Sequence, residues 1–431
     1  MKFTLSTDQS KAITGIVDTL TSDPSKHAIA VLTGAAGVGK SVVVGEIITA
    51  LRKNDPMVCI ELGAATHRAA TVLQDMVGQD VSTAHKLFKL KPSVARYGKQ
   101  ELVNFGVVDM VYGSVVIIDE ASMIGDKFLK AIVSTVKDKA LKVLFVGDPY
   151  QLPPINDTCS LFDGSLPTYT LTTAHRQSQG NPILDMADKY REFIGGLRST
   201  LPELRTDINV DGMGIHVLPH EDFVSSFVKK YMSYDTGAVV DTPICTYTNA
   251  SAINYNSMIR KAAYFLEDTI QPFYKGERLI SNGMVRDGDT TILSNNEAVT
   301  VQSYATYLTA EGISGYQIRV AGTYNSFKGS NLKTVFSPIN KAAADKVLKE
   351  LKQVAVDSRD REGWMKFYGV KNYLADLRPP FAGTVHKSQG GTFPAVFIDQ
   401  VNINKCRDPI VKARLLYVAL TRASKNVYIN S

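Results

Sequence analysis

The sequence is poor in the features that mark several large classes of protein. It holds one tryptophan and four cysteines in 431 residues. Cys59, Cys159, Cys245 and Cys406 stand singly along the chain, which is neither the paired spacing of a zinc module nor a disulfide framework. Apolar runs are short. Ser114 to Ile118 and Lys142 to Val146 are strand-sized, and nothing approaches the ~18 residues that span a bilayer. Asp8 and Lys11 interrupt the amino-terminal MKFTLSTDQSK, so it does not read as an export signal. The expectation is a cytoplasmic protein without a membrane partner. No solenoid-period repeat and no low-complexity segment stands out. The formal charge of +6 is compatible with a polyanionic partner but does not demand one.

What is present reads as a globular α/β chain. Apolar residues make up 44% and charged residues 21%, ordinary values that exclude bulk disorder. Length alone suggests about three domain-sized units. His27 to Thr33, Met57 to Ala64, Val115 to Ile118 and Lys142 to Val146 are β-rich runs separated by helical spacing, as in Ser41 to Arg52. Strands apolar throughout and separated by helices imply a parallel sheet covered on both faces. A second set follows at Gly214 to Leu218, Pro243 to Tyr247, Val396 to Asp399 and Val427 to Ile429, predicting a second α/β domain. Between them, Gly276 to Val320 carries turn signals (Asn282-Gly283, Asp287-Gly288, Asn295-Asn296) and alternating runs, which predict a small antiparallel barrel. Lys341 to Ala355 then reads as an amphipathic helix. His85 to Gly113 is a shorter interruption of mixed basic and aromatic residues.

The chemistry sits at the ends of the apolar strands. Gly34-Ala-Ala-Gly-Val-Gly-Lys40-Ser41 matches G-x-x-x-x-G-K-[ST] between a strand and a helix. Gly34, Gly37 and Gly39 let backbone N–H groups curl around phosphate oxygens, and the helix N-terminus adds a favourable dipole. Lys40 would neutralise β/γ charge, and the Ser41 hydroxyl would ligate Mg²⁺. A glycine turn with an incidental lysine is the competing explanation, and the flanking strand and helix weigh against it. Val115-Val-Ile-Ile-Asp119-Glu120 ends a strand in two carboxylates. Asp119 would hold Mg²⁺, and Glu120 could accept a proton from an attacking water. Gln151, in Gly147-Asp-Pro-Tyr-Gln-Leu-Pro-Pro154, is suited to sensing a γ-phosphate and orienting water. Alone, each of these would pass as a solvated strand end or a Pro-rich turn. Together they predict a nucleotide hydrolase.

Thr384-Val-His386-Lys-Ser-Gln389-Gly390 and Leu416-Tyr-Val-Ala-Leu-Thr-Arg422-Ala423 complete a set that resembles superfamily-1 helicases, in the RecD/Pif1-type branch that translocates 5′ to 3′. The resemblance runs from Leu5-Ser-Thr-Asp-Gln9 to Arg422 and is weakest between about 277 and 378. It implies two RecA-like P-loop domains, 1–84 with 114–175 and 176–275 with 382–431. A pin insert at 85–113 and an SH3-like barrel with a helical arm at 276–381 would complete the chain. It also implies ATP with Mg²⁺. Gln9 would hydrogen-bond adenine, and Gln389 and Gly390 would belong to the nucleotide site. Arg176, in Leu171-Thr-Thr-Ala-His-Arg, would reach the γ-phosphate, as would Arg422 from the second domain. Thr66, His67, Thr83, His85, Thr384 and His386 resemble residues that line a single-strand track, although capping threonines and surface histidines look the same in sequence. An apolar pin tip would come from Leu102 and Phe105, with Tyr97 behind them.

The activity implied is an ATP-dependent DNA helicase acting on single-stranded and forked DNA in replication or recombination, in the host cytoplasm if phage-encoded. A monomer suffices, with a single-strand binding protein or a replisome component as a candidate partner. The alternative is a DNA-stimulated translocase that remodels protein–DNA complexes without processive unwinding. A GTPase would need N-K-x-D, and Asn340-Lys-Ala-Ala343 lacks the aspartate. A small-molecule kinase has no use for Arg422 and the Thr384 segment in a second domain. A binding protein with a relic nucleotide site would be expected to have lost Lys40 or Glu120.

Overall fold

A computed structural model describes residues 5–23, 25–94, 100–154, 157–173, 181–232, 243–263, 271–322 and 332–431. The first half runs α1 (Thr7–Thr21), β1 (Ala28–Gly34), α2 (Lys40–Asn54), β2 (Ile60–Ala64), α3 (His67–Val77), β3 (Ser82–Thr83) and α4 (Ala84–Leu87). The hairpin β4 (Leu90–Val94) and β5 (Gln100–Asn104) follows, then β6 (Val115–Asp119), α5 (Asp126–Asp138), β7 (Lys142–Gly147) and β8 (Thr168–Leu171). Six strands form one sheet in the order β3-β2-β6-β7-β1-β8, every neighbouring pair parallel. All six residues of β7 are buried, as expected of a central strand covered by helices on both faces. One face packs Val43, Ile47 and Leu51 of α2 with Ile16 and Leu20 of α1, and the other packs Phe128, Ile132 and Val136 of α5.

The second half begins with α6 (Pro182–Ile194), β9 (Asp207–Ile208), β10 (Gly214–Leu218), α7 (His220–Met232), β11 (Ile244–Thr246) and α8 (Asn249–Ala263). An insertion then supplies β12 (Arg278–Ser281), β13 (Val285–Asp287), β14 (Thr290–Leu293), β15 (Ala298–Leu308), β16 (Ser314–Gly322), β17 (Lys333–Pro338), α9 (Lys341–Ser358), α10 (Arg361–Tyr373) and β18 (Leu377–Arg378). The chain returns through β19 (Ala382–Thr384), α11 (Val385–Ser388), β20 (Phe393–Ile398), α12 (Gln400–Ile403), α13 (Pro409–Leu420) and β21 (Ala423–Asn430). The second sheet has the order β19-β11-β20-β21-β10-β9 and is parallel except for the β9 edge. Within the insertion, β17-β16-β15-β12-β18 form an antiparallel sheet with its own core around Leu279, Val299, Val301, Ile318 and Val335, and β13-β14 stand beside it as a hairpin.

Helix starts follow local chemistry. Ser6 and Gln9 form a reciprocal capping box on α1. Asp408 accepts from the N–H groups of Ile410 and Val411 with Pro409 at the first helical position, so α13 is firmly begun. Every residue of α13 from Leu415 to Leu420 is buried, which makes it the central helix of the second domain. Four strands of the two large sheets carry no apolar run in the sequence. β3 and β9 are two residues long and β19 three, and β8 is largely exposed with only its last residue buried.

The hairpin corrects one expectation. Leu102 pairs with Pro92 in mid-strand and packs half-buried against the first domain's core. Phe105 lies just beyond β5 at the hairpin's base, its N–H donating to Lys89 O at 2.9 Å, and it is exposed. Neither residue sits at a tip. The turn, with Tyr97, lies outside the described residues.

Candidate nucleotide and strand-binding sites

The phosphate loop leaves β1 at Gly34 and enters α2 at Lys40. Gly37 and Gly39 adopt φ of 89° and 83°, a left-handed backbone that L side chains rarely take. Lys40 Nζ donates to Gly34 O at 2.7 Å and Ala35 O at 3.0 Å, folding back over the loop. Ser41 stands in the first turn of α2. Gln9, buried on α1, donates from Nε2 to Val38 O at 3.1 Å, so the first helix is tied to the loop. A Cβ added to Gly39 would lie 2.7 Å from that same nitrogen.

Asp119 ends β6 next to the loop, and Glu120 follows it with φ of 52°. A left-handed non-glycine residue at this point turns the chain sharply and is a strained placement of the kind found at working sites. Asp119 Oδ1 accepts the Glu120 N–H at 2.8 Å. Burial pushes both carboxyls above the usual range, and the neighbouring Asp119 charge raises Glu120 further. Arg422 and then Lys40 pull Glu120 back down, which brings the second domain's arginine and the loop lysine to one carboxylate. Arg422 is buried. Its Nε donates to Val418 O at 3.2 Å, Nη1 to Gly391 O at 3.2 Å and Nη2 to Thr421 Oγ1 at 3.3 Å. Gln151 and Gln389, both buried, meet across the domain seam at 3.4 Å, and Gln389 Oε1 finds no donor. Arg176 lies outside the described residues.

The seam holds residues that motif reading passed over. Tyr417, on α13, donates its hydroxyl to Asp148 Oδ2 at 2.7 Å and accepts from the Ala36 N–H of the phosphate loop at 3.3 Å. Arg414, three residues earlier on the same helix, donates from Nη1 to Pro149 O and Gln151 O, both at 2.6 Å. Arg68 of α3 stacks on Phe393 of β20 at 4.6 Å. Gly390, with φ of 75°, packs against Ala69 of α3, so the structure puts it at the domain contact. Arg414 and Tyr417 could have been suspected from their i, i+3 spacing, but nothing local names their partners.

The expected strand contacts are less unified. Thr66 caps α3 by accepting from Ala69 N at 3.1 Å, and Thr83 caps α4 through Lys86 N at 3.4 Å. His85 stacks on Phe128 at 4.0 Å, and burial lowers its pKa. His386 is half-buried with its pKa also lowered by burial. His67 and Thr384 do come together, as walls of a cleft of about 560 Å³ between α3, the β11–β19 edge and the inserted sheet. Arg68, Arg278, Arg378 and Lys387 add positive charge to that cleft against the carboxylates of Asp75 and Glu297, and Thr71, Asn249, Asn282 and Asn296 add uncharged polar groups. Two polar atoms of its lining residues, Arg278 Nε and Asn282 Oδ1, are buried without a hydrogen-bond partner. Thr66, Thr83, His85, His386, Leu102 and Phe105 are not among its walls.

Similarity to known proteins agrees with this geometry. Residues 4–195 match the family described as AAA domain, and residues 380–430 match the UvrD-like helicase C-terminal domain. The chain is 25% identical to the ATP-dependent DNA helicase dda of Enterobacteria phage T4, over 94% of each protein. It is likewise 25% identical to the ATP-dependent RecD2 DNA helicase of Deinococcus radiodurans, over 92% of this chain and 46% of that one. In fold it is similar to the crystal structure of Pif1 helicase from Candida albicans, with a TM-score of 0.50 at 16% identity over 100% of this chain and 95% of that one. With a phosphate loop and an acidic strand end on one parallel-sheet domain, and a buried arginine supplied by another, the chain is similar to superfamily-1 helicases of the RecD/Pif1 type.

Proposed function

We propose that the protein is an ATP-dependent DNA helicase that moves 5′ to 3′ along single-stranded DNA and separates duplex ahead of it. The observation that carries the reading is that charges from two domains, Arg422 and Lys40, both act on the half-buried Glu120. Closing those domains on a triphosphate would bring both cations to the phosphoryl group as its charge develops. Glu120, whose pKa is raised by burial and by Asp119 and drawn partly back by the two cations, is placed to take the proton of the attacking water. Gln151 and Gln389 sense the γ-phosphate from either side of the seam. Arg176 is proposed to assist them.

Ser41 and Asp119 would hold Mg²⁺. Two adjacent half-buried carboxylates whose pKa values are raised by desolvation suit such a cation. When bound, the ion supplies neutralising charge to the phosphate oxygens. Gln9, tied to the loop at Val38, is proposed to carry adenine recognition.

The cleft that holds His67 and Thr384 is read as part of the single-strand track. Its lysine and arginines suit phosphates, and its orphaned Arg278 Nε and Asn282 Oδ1 suit a polar ligand. The β4–β5 hairpin would be the pin, the inserted sheet an SH3-like domain, and α9–α10 its arm. Separating a base-pair step costs ~1.4 kcal/mol on average, so coupling, rather than energy, limits the motor. No described helix is long and apolar enough to cross a membrane. The setting proposed with this activity is a monomer at a fork in the cytoplasm, beside single-strand binding or replisome proteins.

Tailed duplexes test the reading. A 5′-tailed substrate should be unwound with ATP and Mg²⁺ while a 3′-tailed one is left intact. Unwinding of the 3′-tailed duplex would overturn the direction. Hydrolysis stimulated by DNA without strand separation on either would favour a translocase that remodels protein–DNA complexes.

A further inference from the structure

The turn after β7 belongs to the first domain in sequence but is held by the second. Leu152 is buried in the second domain's core with Ile183, Leu416 and Val427, and Tyr150 packs against it. Arg414 clamps the carbonyls of Pro149 and Gln151, and Tyr417 bonds Asp148. The turn and α13 therefore form one unit. That unit reaches the phosphate loop through Tyr417, whose hydroxyl takes the Ala36 N–H at 3.3 Å. This amide belongs to the loop whose N–H groups would cradle phosphate. A triphosphate held there would draw on those amides, and Tyr417 is the contact through which such a change would meet α13. From α13 the route onward is short: the helix ends at Thr421 and Arg422, and it packs on α11, whose N-cap is Thr384 in the cleft wall.

We propose that Tyr417, supported by Arg414, is a positioning residue that reports occupancy of the phosphate loop to the strand-binding cleft. The inference rests on the reading of Gly34–Ser41 as the ATP site. It assigns the coupling to one hydroxyl with two partners: a carboxylate of the captured turn and an amide of the loop. Removing the hydroxyl should leave both ligands able to bind and should weaken the influence of each on the other. That influence is reciprocal by linkage.

The test uses the full chain and two probes, the non-hydrolysable analogue AMP-PNP with Mg²⁺ and a fluorescein-labelled dT15 oligonucleotide. The ratio of dT15 dissociation constants without and with saturating AMP-PNP is the coupling factor. Tyr417→Phe should bring that factor about fivefold closer to one, the worth of one neutral hydrogen bond. AMP-PNP affinity in the absence of DNA, measured in parallel, should persist. Arg414→Ala loosens the captured turn by a different contact and should move the factor in the same direction. It also carries the test if Tyr417→Phe fails to fold, since Asp148 Oδ2 is then left bare. An unchanged factor in a folded variant that still binds AMP-PNP would overturn the proposal. A wild-type chain that binds dT15 but no AMP-PNP would instead overturn the reading of the loop, and the proposal with it.

Discussion

Replacing Arg422 by lysine keeps the charge and removes the fork, which separates electrostatics from geometry at the domain seam. Arginine has five N–H donors and lysine three. Arg422 commits three of its own to Val418 O, Gly391 O and Thr421 Oγ1, which leaves one N–H on each terminal nitrogen. Those two are the pair that can meet phosphate oxygens. A lysine would have to choose between its own domain's acceptors and the substrate. The expected loss in kcat, measured with saturating single-stranded DNA, is about 10³-fold, or ~4 kcal/mol of transition-state stabilisation. The KM for ATP and the thermal midpoint should change little, because ground-state charge and the helix end are retained. Arg422→Ala would lose stability as well, since it strands the buried acceptors. A lysine variant retaining more than about a tenth of wild-type kcat would show that the fork does not act on the transition state.

Three other predictions follow from the same geometry. Glu120 has its pKa raised by burial and by Asp119, so hydrolysis should fall on acidification with a midpoint above the ordinary glutamate range, read from a kcat–pH profile. The raised pKa also means that the folded state holds this proton more tightly than the unfolded chain does. Stability is therefore lost as pH rises through and above the usual carboxylate range, and Glu120→Gln should melt higher than wild type at pH 7.5 while losing about 10²–10⁴ in rate. Gly39→Ala forces a side chain onto φ of 83° and drives its Cβ towards Gln9 Nε2. Calorimetric titration with ADP should show weakened binding, since the strain alone is worth about 1–2 kcal/mol. Phe105→Ala, at an exposed position at the hairpin's base, should leave melting, DNA-stimulated hydrolysis and strand separation on a tailed duplex all near wild type.

Much of the nucleotide site could be read in the sequence because its parts are contiguous and punctuated. Glycines at 34, 37 and 39 mark the loop, an apolar run announces β6 before Asp119 and Glu120, and Pro153 and Pro154 close the turn around Gln151. The parallel sheets were legible for the same reason: buried central strands such as β7 are apolar without interruption. What stayed hidden was pairing at long range. Tyr417 meets Asp148 across 269 positions and Ala36 across 381, and Arg414 meets Gln151 across 263. No local pattern encodes a hydroxyl's choice of partner that far away. The hairpin failed for a different reason. An apolar Leu102-Val103 pair between Glu101 and Asn104 fits an exposed tip and a half-buried strand equally well, and only packing on the first core decides between them.

The most direct measurement is steady-state ATP hydrolysis by the full chain with and without single-stranded DNA, with Lys40→Ala alongside. Lys40 is the cation that touches the loop carbonyls and lowers the raised pKa values of Asp119 and Glu120. The account predicts strong stimulation by DNA in the wild type and loss of hydrolysis in the variant under both conditions. Hydrolysis indifferent to DNA, or a Lys40→Ala protein that still turns over ATP, would contradict it.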